Sequence, residues 1–337
     1  MIVIGIESSC DETSVAILKN GKITANLISS QDFHKKFGGV VPELSSRAHL
    51  QIVNPLVKEA LLKSSISLND VELITATAGP GLIGALLVGL TYAKGLSYSL
   101  NKPFIGVNHI EGHIFSGFLM EEKPVFPFIA LVVSGGHTLL LLVKSFTEIV
   151  KLGSTVDDAA GEAFDKVSKM LGLGYPGGPK IQAAAIKGDQ NKINFPIAQL
   201  KDPYNFSFSG IKTSVLRYVQ SLNGNMNEQI INDIAASFQF AVVQALIRKL
   251  EKAIQNFNIK SISVVGGVAA NRLLRESAGE LGNKHDVKLI IPAFEYCGDN
   301  AAMIAFRGES LYAAGIRDTL ESKPFPGLSE NHFSDGL

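Results

Sequence analysis

Only two cysteines, Cys10 and Cys297, occur in the 337 residues. One disulfide is the most they could form, which excludes a secreted scaffold stapled by disulfides. Neither sign of charge predominates: 31 Lys and Arg stand against 31 Asp and Glu, and charged residues make up 18%, below the usual share of about 25%. A general polyanion binder is strongly basic, so any contact with nucleic acid would need a local patch or a helper protein. An unbroken apolar run of membrane-spanning length is also missing. The nearest candidate, Val125–Val143, is interrupted by Pro127 and by Ser134-Gly135-Gly136-His137-Thr138, whereas a span needs about 20 apolar residues. Two buried strands joined by a turn fit it better. Ile6 is followed at once by Glu7-Ser8-Ser9, with no basic stretch before it; no signal peptide is expected, and the chain reads as cytoplasmic.

What is present is a core. Hydrophobic residues are 46% of the chain, enough to exclude global disorder, and the length suggests about two domains. Ile2–Ile6 reads as a buried strand, Val15–Leu18 as a second, and Asn20-Gly21 as a hairpin turn returning Ile23–Ile28. The same order of strand, polar turn and strand recurs at Phe128–Val133, Ser134–Thr138 and Leu139–Val143, with a third run at Glu148–Leu152. A second pair of units matches as well. Val71–Ala78 reads as a strand, broken by Gly79-Pro80-Gly81 before a helix over Leu82–Leu96. Ser261–Val265 reads as a strand, broken by Gly266-Gly267 before a helix over Ala269–Leu281. This is a duplication in element order. It predicts an α/β chain of two halves, 1–125 and 126–298, with an insertion over about 157–215, a helix over about 299–320 packing back onto the first half, and a tail over 321–337. Two such halves leave a cleft, and the polar turns can nest phosphate through backbone N–H groups. The arrangement resembles the actin, sugar-kinase and Hsp70 superfamily (ASKHA fold).

Several side chains could carry chemistry. His109 and His113 are four apart; on a helix both imidazoles share a face and can bind one metal, or they are two partly buried histidines on an amphipathic helix. The pair is not the zincin motif, because Ile110 rather than Glu follows the first His, and Glu111 points away from His109. Nitrogen and oxygen ligands without thiolate suit iron, zinc or manganese. Asp299 precedes an alanine-rich helix, Asn300–Ala314, as an N-cap or as a third ligand. Asp11 and Glu12 sit beside Cys10 in the first turn, either near a metal, as a base, or at a solvated hairpin tip. Cys10 itself is best read as a small turn residue, not a nucleophile. On a helix over Asp157–Leu171, Asp158, Glu162 and Asp165 would share a face, solvated or able to hold ribose hydroxyls. Basic residues fall in small scattered groups such as Arg248-Lys249, Lys212 and Arg217, without an aromatic-interleaved stripe. The helix over Leu82–Leu96, with Gly84, Gly89 and Gly95, is either an ordinary buried helix or a close-packing partner surface.

A run of motifs in fixed order carries a resemblance. It comprises Gly5-Ile-Glu-Ser-Ser-Cys-Asp-Glu-Thr-Ser14, Gly38-Gly-Val-Val-Pro-Glu-Leu-Ser-Ser-Arg47, Ala78-Gly-Pro-Gly-Leu82, His109-Ile-Glu-Gly-His113, Val133-Ser-Gly-Gly-His-Thr138, Asp157-Asp-Ala-Ala-Gly-Glu-Ala-Phe-Asp-Lys166, Tyr175-Pro-Gly-Gly-Pro179, Phe206-Ser-Phe-Ser-Gly210, Gly266-Gly-Val-Ala-Ala-Asn-Arg272 and Asp299-Asn-Ala-Ala-Met303. The chain resembles the TsaD/Kae/Gcp family, the tRNA N6-adenosine threonylcarbamoyltransferases. The resemblance implies transfer of threonylcarbamoyl from threonylcarbamoyl-adenylate, releasing AMP, to N6 of adenosine 37 in tRNAs that read ANN codons, giving t6A. It implies one divalent metal, Fe2+ ahead of Zn2+, on His109, His113 and Asp299. It also implies an adenylate site at Val132, Val133, Ser134, Gly135, Gly136, Asp165, Gly178 and Asn271. In a bacterial setting the implied partners are tRNA, a paralogous TsaB-like subunit and a TsaE-like small ATPase. Asp11 and Glu12 are candidates for the base by location. Gln182 stands where many members carry an acid, Gly298 where many carry Thr, and Gly266 where Ala is common. Competing readings are a sugar or acid kinase on the same fold, a metalloprotease, and an Hsp70-like binding protein. The neutral balance predicts weak, salt-sensitive tRNA binding by the chain alone.

Overall fold

The structure, a computed structural model, describes residues 1–328 and 332–335. The chain forms two compact units, Met1–Lys123 joined by the stretch from Pro292 to His332, and Pro124–Ile291 joined by the residues from Phe333.

The first unit opens with β1 (Ile2–Glu7), β2 (Glu12–Lys19) and β3 (Lys22–Ser30), then α1 (Pro42–Lys63), β4 (Leu73–Gly79), α2 (Ile83–Leu100), β5 (Phe104–Asn108) and α3 (His109–Phe115). Asn20 and Gly21 both take positive φ, 54° and 73°, the geometry that lets a two-residue turn follow the twist of β2 and β3. The sheet runs β3-β2-β1-β4-β5, antiparallel across the hairpins and parallel from β1 through β4 to β5. Branched residues of β1 are buried on both faces, as a central strand covered by helices requires. Ile4 and Ile6 pack under α1 and α2 with Val57, Leu90 and Ala93. Within α2, a side chain added at Gly84 would meet Ser46 Oγ at 2.4 Å, and one added at Gly89 would meet Ser8 Oγ at 2.4 Å. Gly84 and Gly89 thus allow close packing inside the unit, while Gly95 has nothing within 4 Å of a Cβ and Ile83 and Leu87 stay exposed on the same helix.

The second unit holds β6 (Phe128–Val133), β7 (Thr138–Val143), β8 (Ile149–Ser154), α4 (Ala160–Met170), α5 (Gly177–Ala185), α6 (Ser209–Ser221), α7 (Glu228–Asn256), β9 (Ser261–Val265), α8 (Arg272–His285) and β10 (Lys288–Ile290). The order β8-β7-β6-β9-β10 repeats that of the first sheet, with the same antiparallel and parallel pairings. Helices α4 and α5 and the first half of α6 lie in the stretch, about 157–215, where an insertion was expected. Two details differ from the sequence reading. Asp157 and Asp158 precede α4 instead of lying on it, and the helix expected from Ala269 starts as a short 3-10 turn, Gly267–Ala270, before α8. Among the described residues, α7 is the one helix long and apolar enough to cross a membrane, but 72% of its apolar window is buried inside the protein.

The returning segment gives α9 (Phe294–Cys297) and α10 (Ala301–Ala313). Ala301, Ala302, Ile304 and Ala305 cover the other face of the first sheet with Val3, Ala16, Leu73 and Val107. The contact is backbone-close: a Cβ at Gly5 would lie 2.5 Å from the Ala301 carbonyl oxygen. From the tail, β11 (Ser334–Asp335) runs parallel to β8 at the edge of the second sheet.

Candidate metal centre

β5 ends at Asn108, whose Oδ1 accepts the N–H groups of Ile110 and Glu111 at 2.8 and 3.2 Å. This cap starts α3 at once and sets His109 and His113 on one face, rings edge to face with centroids 4.8 Å apart. Asp299, just before α10, meets both: its Oδ1 lies 3.4 Å from His109 Nε2 and 3.2 Å from His113 Nε2. The three ligand atoms lie within 4.8 Å of one another. The two short separations are those of donors sharing an ion at about 2.0–2.2 Å from each, so the residues fit a metal.

The surroundings fit it too. Glu7, at the end of β1, is fully buried. Its Oε1 accepts the Ser9 N–H at 2.5 Å and its Oε2 accepts the Thr77 hydroxyl at 2.5 Å. That Oε2 is also 3.0 Å from His109 Nδ1, and Ser9 Oγ lies 3.3 Å from the same nitrogen. A carboxylate on the far ring nitrogen fixes the tautomer and leaves Nε2 with a lone pair, the usual support of a metal-bound histidine. Among the described residues, the carboxylates of buried Glu7 and half-buried Asp299 are offset by histidine. Burial disfavours the imidazolium of His109, but Asp299 and Glu7 outweigh it and hold its pKa well above the usual value. Burial works against ionised Asp299, yet the histidines hold its carboxyl below the ordinary range. His113 is pushed down by burial, and its buried Nδ1 has no hydrogen-bond partner among the described residues.

The neighbouring candidates divide. Burial, then Asp299 and Asp11, push the Glu12 carboxyl up to about 9. The Cys10 thiol is pushed up by burial, Asp11 and Asp299, which disarms it as a nucleophile. Glu111 is committed to Arg307, through Nε at 2.7 Å and through Nη2, and to His332 at 3.0 Å, which leaves it no role as a metalloprotease base. Sequence reasoning missed Glu7 and also His49, whose ring joins Thr13 Oγ1 at 2.7 Å and the Cys10 carbonyl at 3.0 Å. The signal for Glu7 was available: an acid ending a wholly apolar central strand is buried unless the sheet stops short.

In the second unit, Val132 and Val133 end β6, and Gly135 and Gly136 form the exposed tip of the turn to β7. Gly161, in the first turn of α4, donates its N–H to the Ser134 carbonyl at 3.1 Å; any Cβ there would sit 2.6 Å from that oxygen. Gly266, at φ 93°, faces the Val133 carbonyl at 2.5 Å from an ideal Cβ, so the backbone here suits glycine and strains alanine. Asp165 Oδ1 accepts the Gly177 N–H at 2.6 Å, drawing the start of α5 onto α4, and Gly178 beside it is open. Asn271 caps α8 by accepting the Leu274 N–H at 3.1 Å, while its Nδ2 donates to Gln239 at 2.8 Å.

A profile of the TsaD family, tRNA N6-adenosine threonylcarbamoyltransferase, matches residues 22–306. A curated relative of that name from Thermosipho africanus is 55% identical, covering 96% of this chain and 99% of its own. One from Symbiobacterium thermophilum is 47% identical, covering 97% and 96%. The chain belongs to this family. It is therefore a transferase that modifies tRNA, acting at N6 of adenosine. Among solved structures, HypF of T. kodakarensis matches with TM-score 0.64 at 15% identity, covering 93% of this chain and 48% of that one, so the chain spans about half of its length. The component A protein of (R)-2-hydroxyglutaryl-CoA dehydratase from Acidaminococcus fermentans matches with TM-score 0.52 at 15% identity, covering 92% of this chain and 99% of that one. These likenesses speak for the fold alone, a two-domain ASKHA fold. In this threonylcarbamoyltransferase, Gln182 Oε1 accepts the Arg272 N–H at 2.7 Å, tying α5 to the start of α8. An acid at that position would make the same bond as an anion. At Gly298 a side chain would meet nothing within 4 Å, so a Thr there is accommodated.

Proposed function

We propose that the enzyme takes the threonylcarbamoyl group from threonylcarbamoyl-adenylate, releases AMP, and places the group on N6 of adenosine 37 of tRNAs reading ANN codons. The observation that carries this reading is the cluster of buried Glu7, His109 and His113 with half-buried Asp299 in a chain of this family. An adenine exocyclic amine is a poor nucleophile, so the carbonyl must arrive activated, and a mixed anhydride with AMP supplies both activation and leaving group. N6 attacks the carbamoyl carbon, the C–N bond forms, the C–O bond to phosphate breaks with its electron pair leaving on AMP, and the amine proton passes to a base. The protein's share is chiefly to hold donor and amine in line.

His109, His113 and Asp299 would hold one divalent cation, Fe2+ ahead of Zn2+, which when bound supplies Lewis-acid polarisation at the threonylcarbamoyl end of the donor. Glu7 orients His109 for that role. Backbone N–H groups of the 134–136 turn and of Gly266-Gly267 suit the charge gathering on the departing phosphate. Val132, Val133, Asp165, Gly178 and Asn271 would border the rest of the adenylate. Asp11 and Glu12, at the turn into β2, are the candidates by location to take the proton; Asp11 is the better of the two, because Glu12, pushed up to about 9, holds its own proton at neutral pH. The setting is the cytoplasm, with a paralogous TsaB-like subunit and a TsaE-like small ATPase as partners. The test is a reconstituted reaction read by mass spectrometry of tRNA nucleosides: wild type forms t6A, and His109→Ala loses it by at least about a hundredfold, as removal of a metal ligand should. Full activity of His109→Ala would sink the role of the cluster.

A further inference from the structure

We propose that a concave basic patch on the second unit, formed by Lys201, Arg248, Lys249 and Lys252, holds the phosphate backbone of the tRNA substrate. The proposal rests on the tRNA-modifying reading above and adds to it the surface on which the tRNA lies.

The patch surrounds a cavity of about 340 Å³. One wall is the irregular segment 197–207, which contributes Lys201. The other is a face of α7, where Ala245, Arg248, Lys249 and Lys252 recur at the spacing of one helical stripe. Among the described residues none of the four cations has an ion pair or a hydrogen-bond partner. Several basic side chains of this unit are matched, Lys166 and Lys212 by Asp158, Lys144 by Glu148, Lys187 by Glu228 and Lys284 by Glu251; the four of the patch differ in lying together around one cavity. Two acids lie close in sequence to the patch. Asp202 already accepts the Tyr204 N–H at 2.9 Å, and Glu251 is taken by Lys284 and His285. Lys249 is held below its ordinary pKa by burial and by Lys252, against a weaker pull from Asp202. Four cations gathered around a hollow repel one another, and an anion in the hollow relieves that cost.

The chemistry of the lining selects the kind of anion. Lysine presents a compact charge, and Arg248 a planar fork that matches phosphate oxygens. The lining aromatic, Phe206, is 2% exposed, so no ring is offered for a base to stack on. Contacts of this type fix the position of a nucleic acid without reading its sequence. That suits an enzyme whose tRNAs share a target adenosine and differ elsewhere. A chain with formal net charge zero must concentrate its cations to meet a polyanion, and here they are concentrated.

The experiment uses the full protein in the reconstituted reaction, with tRNA affinity read in parallel by fluorescence anisotropy over a salt series. Arg248→Gln with Lys252→Gln should raise KM for tRNA about tenfold with kcat retained, and should flatten the slope of log affinity against log salt by about two, one per lost phosphate contact. Lys201→Arg with Lys252→Arg should keep both. All of these side chains except Lys249 are exposed, so folding is undisturbed. If wild type forms no t6A, the functional reading falls. If wild type forms it and the glutamine variant keeps its KM and salt slope, only this surface falls. A variant that needs more partner subunit while keeping its tRNA affinity would overturn it equally, by showing that the patch receives a protein.

Discussion

Glu7 has a carboxylate at 0% exposure whose one charged neighbour within bonding distance, among the described residues, is His109. Burial raises its pKa, but His109 and Ser9 hold the carboxyl low, so it stays an anion in the core. Glu7→Gln keeps the shape and removes that charge. It should weaken metal binding by about 10- to 100-fold, the usual cost of losing a carboxylate behind a ligand histidine, in a chelator-competition titration; unchanged affinity would discard the orienting role. This residue also marks what was readable. The spacing of His109 and His113 suggested a shared face, and the structure puts both rings on it. Asp299 was readable only as a cap or a ligand, because its approach to the histidines depends on how α10 lands on β1, a contact between chain ends. Glu7 was legible only in part: an acid ending an apolar central strand signals burial, but Glu-Ser-Ser after such a run reads equally as the start of a solvated turn.

At the scale of elements, the strands were legible because branched apolar runs bounded by Asn-Gly, Gly-Pro-Gly and Gly-Gly leave few alternatives. Packing distances were not legible. Gly5 looks like any strand glycine, yet α10 lies so close that a Cβ would meet the Ala301 carbonyl at 2.5 Å and Ala305 Cβ at 2.8 Å. Both obstacles are on a rigid helix, so Gly5→Ala should lower stability by about 1–3 kcal/mol, read as a lower urea midpoint with unchanged slope. The acidic stretch before α4 misled the periodicity reading for a comparable reason. Asp157 accepts the N–H groups of Phe208 and Ser209 and the hydroxyl of Ser207, partners far along the chain that hold it off the helix. Asp158 binds Lys166 at 2.7 Å and also Lys212. Burial opposes its charge, but the two lysines win and hold its pKa below the ordinary carboxyl value. A depressed folded pKa gives stability that is present above the unfolded value, about 3.9, and is lost as pH falls through the folded one. Asp158→Asn should therefore lower the urea midpoint at pH 7 and pH 5, with the gap to wild type closing below about pH 4. A gap that stays constant with pH would show that the lysine pairing contributes nothing.

Over the whole molecule, the duplication was visible in element order long before any residue-level similarity, because a hairpin followed by strand–Gly–helix units recurs. The two sheets now show it as one strand order used twice. The tail was not visible in this way: a two-residue strand at Ser334–Asp335 has no pattern of its own and forms only because β8 offers an open edge. Charge is the other global property. Equal numbers of acids and bases say nothing about where they sit, and four cations without an ion pair among the described residues gather around one hollow of the second unit. If those four carry most of the contact with tRNA, the slope of log affinity against log salt for the chain alone should be about −2.8 to −3.6, since each phosphate contact contributes about 0.7–0.9. Affinity should then fall roughly a hundredfold between 50 and 200 mM monovalent salt, and be weak at the upper end. Anisotropy with labelled tRNA at fixed magnesium measures this directly. A slope near zero with tight binding at 200 mM would mean that uncharged contacts dominate, and the local gathering of cations would then have nothing to do with tRNA.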